Sequence, residues 1–323
     1  MKHASKLLLS LLAVLLFMGC KKGTNMVTPD SANDSAARNS IYHWKTTFNL
    51  DSADVSFLKK HDVKRIYVRM FDVATEPNFL SEGTDVVPIA TTKFESPVPK
   101  DVEIVPVTYI TLDALREMQS REAEFANIII ERLLAMANYN HCGKIREVQF
   151  DCDWTGSTKG IFNKLCETAK DSLNAQGIAL SATIRLHQMQ ETPPPLDRGV
   201  LMIYNTGALK HPESKNSILH MDDVKPYLKP TTYALPLDYA YPTFGWGVLF
   251  ESDIFVGIVS ETSQPVNDLE RIRRERPTSA EVLEVKAEVE KAFGAPARGN
   301  ILYHLDASQL AHYSDSSITQ IYR

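Results

Sequence analysis

The segment EVQFDCDWTGS, residues 147–157, sets Asp151 and Asp153 one residue apart at the end of an apolar run, followed by Trp154 and a polar turn. Two carboxyls this close, partly buried, do not share one proton affinity: one is pushed toward the protonated form while its neighbour stays ionised. That is the arrangement needed for proton donation in hydrolysis, with a second carboxylate opposite as nucleophile or base. Asp238, in LPLDYAYP, supplies a candidate for the opposing group. Asp153 is the expected acid, its proton affinity raised by Asp151 and by partial burial. Arg69 and Arg185 are the cations expected to hold Asp151 ionised or to bind an anionic substituent, with His187 beside them. Tyr109, Tyr204, Asn205 and Tyr241 add polar tips for ligand contact, and all of these must be brought together by the fold.

Eight short apolar runs recur along the chain, at 41–48, 65–71, 103–110, 147–154, 179–186, 200–205, 231–239 and 300–306. Helical patterns fill gaps at 52–61, 111–139, 158–175 and 279–293, the last opening on a capping box from Thr278 to Glu281. Strands alternating with helices in this number predict an α/β fold, a (β/α)8 TIM-like barrel. Its helical ring is expected to be incomplete. Residues 74–100 read as a long loop, QETPPPLDRG at 190–199 joins two strands with almost nothing, and GWGVLFESDIFVGIVS at 245–260 reads as a β-hairpin inserted after strand seven. An open doubly wound sheet is the alternative, and it lacks its Gly-rich phosphate turn.

Strand residues alternate faces. Val148, Phe150, Cys152 and Trp154 should pack under helices, leaving Gln149, Asp151 and Asp153 to line the interior and rise to the C-terminal mouth, where this fold keeps its chemistry. The same alternation turns Ser181, Thr183, Arg185 and His187 inward on the fifth strand and Tyr67 and Arg69 on the second, with Asp238 across the barrel on the seventh. Each has a structural counterpart: Asp151 with Arg185 as an interior ion pair, Asp238 as a turn cap, His187 as a solvated loop residue, Trp44 and Trp246 as core. Aromatics with polar tips at a barrel mouth also suit stacking on sugar rings.

VQFDCDW followed by LMIYN resembles the family-18 glycoside hydrolases, chitinase-like barrels whose fourth strand carries DxxDxDxE and whose sixth carries Met-x-Tyr-Asp. On that pattern Asp151 and Asp153 match the second and third aspartates, and Met202 and Tyr204 match the sixth-strand pair. Val148, Asn205 and Thr155 stand where the pattern has Asp, Asp and the catalytic Glu. The family's mechanism needs that glutamate to protonate the leaving oxygen, so it does not carry over whole. VQFDCDW, LSATIRL and LPLDYAYPTFGWGVLF, in this order over roughly residues 145–250, are also similar to a bacterial domain of unknown function, 3142. This second resemblance implies the fold and the importance of Asp151, Asp153 and Asp238, and supplies no reaction.

The first residues address the chain. Lys2, His3 and Lys6 precede LLLSLLAVLLFMGC, a basic start, an apolar stretch too short to span a bilayer comfortably, and a small-residue ending. Ending at Gly19–Cys20, residues 1–20 resemble a bacterial lipoprotein signal, with Cys20 as the lipidated residue. Residues 21–39 read as a flexible tether and 40–323 as one barrel domain held at the membrane by its lipid alone. Lys21 after Cys20 is not an inner-membrane retention signal of the aspartate type, which points to the outer membrane. A net charge of -5 with no dense basic block speaks against a nucleic-acid partner. Cys142, Cys152 and Cys166, without a CxxC, signal neither a zinc site nor a disulfide framework, and no cofactor motif is present.

Two functions follow from these residues. One is a glycoside hydrolase-like enzyme on extracytoplasmic polysaccharide, with Asp153 and Asp238 as the working pair. The other is a glycan-binding or structural lipoprotein on a barrel without catalysis, which the threonine at 155 favours. Facing carboxylates across an open cleft would support the enzyme; acids saturated by Arg69 and Arg185 would support the binder. Metal-dependent hydrolysis through Asp151, Asp153 and His187 or His304 ranks last for want of convergent ligands.

Overall fold

The computed structural model describes residues 38–78, 80, 83–229 and 233–323. Eight parallel strands close into a barrel: β1 (Asn39–His43), β2 (Val63–Asn78), β3 (Glu103–Ile110), β4 (Glu147–Asp151), β5 (Ala179–Arg185), β6 (Arg198–Met202), β7 (Leu237–Pro242) and β8 (Asn300–Tyr303). Each pairs with the next in chain order, and β1 pairs with both β2 and β8, at Tyr42↔Tyr67 and Ile41↔Leu302. Closure removes the free edges that an open sheet would expose. The TIM-like barrel expected from the eight runs is therefore the fold of this chain. The segments expected to be a leader and a tether, with Cys20 between them, lie outside the described residues except for 38 and 39.

The strands are buried on both faces, as parallel barrels require; all five residues of β4 are buried. Outside, Trp154, just past β4, stacks with Phe162 of the helix Lys159–Asn174 at 6.5 Å between ring centroids. Inside, the Tyr42 hydroxyl donates to Gln149 Oε1 at 2.7 Å, and the Gln149 amide donates to Ser181 Oγ at 3.3 Å. This inner layer satisfies its polar groups across strands instead of leaving them orphaned in the core.

The surrounding helices begin where their caps dictate. Asp51 caps Ser52–Lys60 through a capping box with Asp54, Thr278 and Glu281 box the start of Ser279–Phe293, and Ser314 caps Asp315–Tyr322. The helical stretch expected over 111–139 is two helices, Leu112–Glu117 and Glu122–Tyr139. The ring is incomplete between β5 and β6, where a single 3-10 segment, Leu186–Gln190, makes the connection.

Two expectations are corrected, and the inserted hairpin gains a third strand. The long loop at 74–100 holds a β-arm: β2 runs on past the barrel to Asn78 and pairs antiparallel with Gly83–Ile89. The insertion after β7 is a three-stranded antiparallel sheet, Trp246–Glu251, Ile254–Val259 and Glu270–Glu275, with ERIRRE as the third strand. The seventh barrel strand starts at Leu237, so among the described residues of the run at 231–239 those at 233–236 precede it.

That last shift moves Asp238 to the opposite end of the barrel from the mouth. The Arg298 backbone N–H donates to Asp238 Oδ1 at 2.7 Å and its Nε donates to Oδ2 at 2.9 Å. Arg298 also donates to Glu147 Oε2 at 2.8 Å and to the Tyr67 hydroxyl at 3.1 Å. Beside them Arg65 and Arg38 both reach Glu103. These groups form an ionic plug across the N-terminal end, with Arg65, Glu147 and Asp238 buried. Arg298, with Arg198 and Arg65, holds the Glu147 carboxyl down at about 2 against the opposing effect of its burial.

Candidate functional site

Asp151 ends β4 at the floor of the C-terminal mouth. It is 5% exposed, and the Thr183 hydroxyl of β5 donates to its Oδ1 at 2.5 Å. Burial, and then the charge of Asp153, push its carboxyl up to about 6, against the Thr183 hydrogen bond and the Arg185 charge. Its surroundings thus raise the proton affinity of Asp151, the acid that Arg69 and Arg185 were expected to hold ionised. Asp153 sits higher, its side chain 37% exposed, and Arg185 grips it with two bonds: Nε to Oδ1 at 2.5 Å and Nη2 to Oδ2 at 2.8 Å. Arg185 therefore pairs with Asp153 and not, as expected, with Asp151.

Arg69 also has another partner than expected. It binds Asp72 through two nitrogens, with Nη1 on the Trp44 carbonyl at 3.4 Å and its guanidinium over the Trp44 ring at 5.6 Å. In a regular strand, residues three apart face opposite sides. β2 carries a register shift between Arg69 and Phe71, and that bulge brings Arg69 and Asp72 together. Strict alternation could not reveal Asp72 as a mouth residue.

Aromatic groups wall the mouth. Tyr204 and Tyr303 stack with centroids 4.5 Å apart, Phe244 meets Tyr303 edge-on at 5.5 Å, and Trp246 meets Phe244 at 5.2 Å. The Trp246 indole N–H donates at 2.8 Å to Glu275 Oε2, which also accepts from the Ser217 hydroxyl at 2.5 Å. Glu275 is buried and its other oxygen accepts from Arg273 at 2.6 Å, so the inserted sheet fixes the indole rigidly. Tyr109 is half-buried; burial, followed by the charges of Asp153 and Asp151, pushes its phenol up to about 12, so it remains an O–H donor at neutral pH. Asn205 follows Tyr204 with a φ of 54°, a left-handed conformation that asparagine tolerates better than most residues.

A cavity of about 530 Å³ opens over these groups, lined by Asp153, Arg185, His187, Asn205, Trp246 and Ile258. His187 is exposed on the 3-10 segment after β5. Of the residues singled out in the sequence, Asp151, Asp153, Arg69, Arg185, Tyr109, His187, Tyr204 and Asn205 belong to this end. Asp238 does not, since it is sealed in the plug at the far end. Tyr241 does not either. It is fully buried on the face of β7 shared with Tyr239, whose hydroxyl donates to the Gly294 carbonyl at the end of the outer helix Ser279–Phe293. Asp72, Tyr303, Ser217 and Glu275 were not singled out; Ser217 and Glu275 lie in segments with no strand alternation pointing to the mouth.

The place of the family-18 glutamate is occupied by Thr155, an exposed residue whose hydroxyl lies 3.0 Å from Ser157 Oγ and 3.4 Å from Thr158 Oγ1. It is engaged in the turn that starts the following helix. Among the described residues no group of three or more His, Cys, Asp or Glu stands close enough to hold a metal, and Cys142, Cys152 and Cys166 are buried free thiols.

These features define a closed parallel (β/α)8 TIM-like barrel, and the solved structures that resemble it share that fold. The Bacillus cereus spore cortex-lytic enzyme SleL matches over 90% of this chain and 75% of its own, at 14% identity and a TM-score of 0.53. A chitinase from Chromobacterium violaceum matches over 88% of this chain and 98% of its own, at 12% identity and a TM-score of 0.52. A group II chitinase catalytic domain from Ostrinia furnacalis, in complex with a chitooligosaccharide, matches over 88% of this chain and 95% of its own, at 10% identity and a TM-score of 0.50. At such identities the likeness establishes the fold. No family model and no curated protein sequence matches the chain.

Proposed function

We propose that this protein holds a polysaccharide at the C-terminal mouth of its barrel and does not cleave it by family-18 acid catalysis. The observation that carries this reading is the state of the acids. Asp153 is clamped by both nitrogens of Arg185, and the position four beyond Asp151 offers a threonine hydroxyl tied into a turn. A clamped carboxylate is a poor nucleophile, and a hydroxyl with an alcohol's proton affinity does not protonate a leaving oxygen near neutrality. The aromatic wall, the Tyr109 hydroxyl and an open cavity of about 530 Å³ suit stacking and hydrogen bonding to sugar rings. The chitooligosaccharide named for the Ostrinia enzyme and the cortex named for SleL make amino-sugar glycans the first candidates.

A second reading rests on Asp151, whose carboxyl near 6 would keep a proton to donate in mildly acid conditions. Its position at the floor, bonded to Thr183, favours a ligand contact over delivery to a glycosidic oxygen.

The lipoprotein-like leader ending at Cys20, and the polar segment 21–39 after it, support an envelope location with the barrel tethered to the outer membrane through lipid. The motif likeness to domain of unknown function 3142 is consistent with such a protein.

The test is to incubate residues 38–323 with a panel of bacterial and host polysaccharides, reading retention by affinity electrophoresis and products by mass spectrometry. Retention without products, lost in Arg185→Ala and Trp246→Ala, is expected. Products that vanish in Asp151→Asn would overturn it in favour of hydrolysis.

A further inference from the structure

The end of the barrel opposite the mouth carries a second concavity, of about 660 Å³, and its charge is the reverse of the chain's. The whole sequence is at -5, yet Arg38, Lys64, Lys100, Lys144 and Arg146 line this one recess against two acids, Asp101 and Glu103. Glu103 is already committed to Arg38 and Arg65, and Lys64 has Asp62 at 2.7 Å. Among the described residues no acid stands within ion-pair distance of Lys100, Lys144 or Arg146, all three exposed. Cations that outnumber the acids of a concavity repel one another and raise the local potential, so the recess favours an anionic surface that neutralises several of them together.

The position of the recess selects that surface. Lys64, Glu103 and Arg146 flank the starts of β2, β3 and β4, and Arg38 stands immediately before β1. The chain therefore enters the barrel at the edge of the basic recess, directly after the segment read as a tether from a lipid-modified Cys20. A tether of fewer than twenty residues keeps this end within a few tens of ångströms of its anchor.

We infer that the N-terminal face of the barrel, through Lys100, Lys144 and Arg146, docks on the phosphate headgroups of an anionic lipid surface. The docked barrel stands with its mouth pointing away from the membrane, toward the glycan. This inference rests on the anchor reading for its geometry, while the affinity of the face stands apart from the anchor.

The experiment uses residues 38–323, which contain the whole closed barrel and its core, so the lipid plays no part. Partition is measured by sedimentation with vesicles of phosphatidylcholine alone and of phosphatidylcholine mixed with phosphatidylglycerol. Binding to the mixed vesicles only is expected. Lys100→Glu/Lys144→Glu/Arg146→Glu should weaken it at least ~10-fold, and added salt should weaken it as screening shortens. A control variant at the mouth end, Lys210→Glu/Lys225→Glu, which carries two of the three charge reversals, should bind as the parent does. Thermal melts of all variants confirm folding, since every substituted residue is exposed. Equal partition of parent and triple variant, no partition at all, or retention on a soluble polyanion such as heparin without vesicle binding would each overturn the inference. Loss of lipid labelling in full-length Cys20→Ser tests the anchor by itself, so the two readings fail separately.

Discussion

A carboxyl buried beside an ionised neighbour keeps its proton to higher pH than it would in water, and Asp151 is in that position. Its folded value of about 6 lies above its unfolded value. The sign follows: the stabilisation is complete below about pH 4 and is lost as pH rises through about 6, in all about 3 kcal/mol. Asp151→Asn keeps an oxygen to accept from Thr183 and removes the ionisation. Relative to the parent, its unfolding free energy should rise with pH across that interval and stay higher above neutrality, the buried His43 contributing equally to both proteins. Parallel urea-denaturation series would show this, and identical slopes would sink it. Arg185 is the complementary residue. Arg185→Gln takes a cation from Asp151 and breaks the clamp on Asp153, so the Asp151 titration should move further up in carboxyl-carbon NMR. Glycan retention should weaken by about 1.5–3 kcal/mol; a variant with unchanged titration would mean that Arg185 does not act on Asp151.

At the scale of elements, strand register decides which carboxylate works where. β7 begins at Leu237, so Asp238 opens the strand and meets Arg298 instead of rising to the mouth. The plug it joins is buried, and removing one partner leaves a buried charge short of compensation. Arg298→Ala takes the guanidinium from Asp238, leaves Glu147 to Arg198 and Arg65, and should destabilise by about 3–5 kcal/mol. Asp238→Asn, measured in the same denaturation series, should lower stability yet leave glycan retention intact. Loss of retention in a folded Asp238→Asn protein would bring Asp238 back to the site. The bulge in β2 acts in the opposite sense, recruiting Asp72 to the mouth beside Arg69. Eight apolar runs made the strands legible, because burial on both faces leaves a continuous hydrophobic signature. A bulge or a strand start displaced by a few residues leaves the composition of a run unchanged and reverses or relocates its side chains.

At the scale of the whole molecule, β1 is the element on which closure depends, since it pairs with both β2 and β8. A chain starting at Arg38 should melt cooperatively, whereas one lacking Asn39–His43 exposes two strand edges and opens the mouth at Tyr42; it should aggregate or lose its near-ultraviolet dichroism. A cooperative melt of that shorter chain would show that β1 is dispensable. The amino-acid sequence by itself determined the alternation of strands and helices, the cap at Thr278, the barrel, and the inward set on β4 and β5, because each is written in local periodicity and side-chain chemistry. It also displayed the threonine at 155. Only the tertiary structure decided the partners. Arg185 took Asp153, Arg69 took Asp72, Asp238 joined a plug with Arg298 and Glu147, and Trp246 was fixed by Glu275 from the inserted sheet. Those pairings join residues from different elements, or residues brought together by a bulge. They depend on register, bulges and closure, so no local pattern in the chain encodes them.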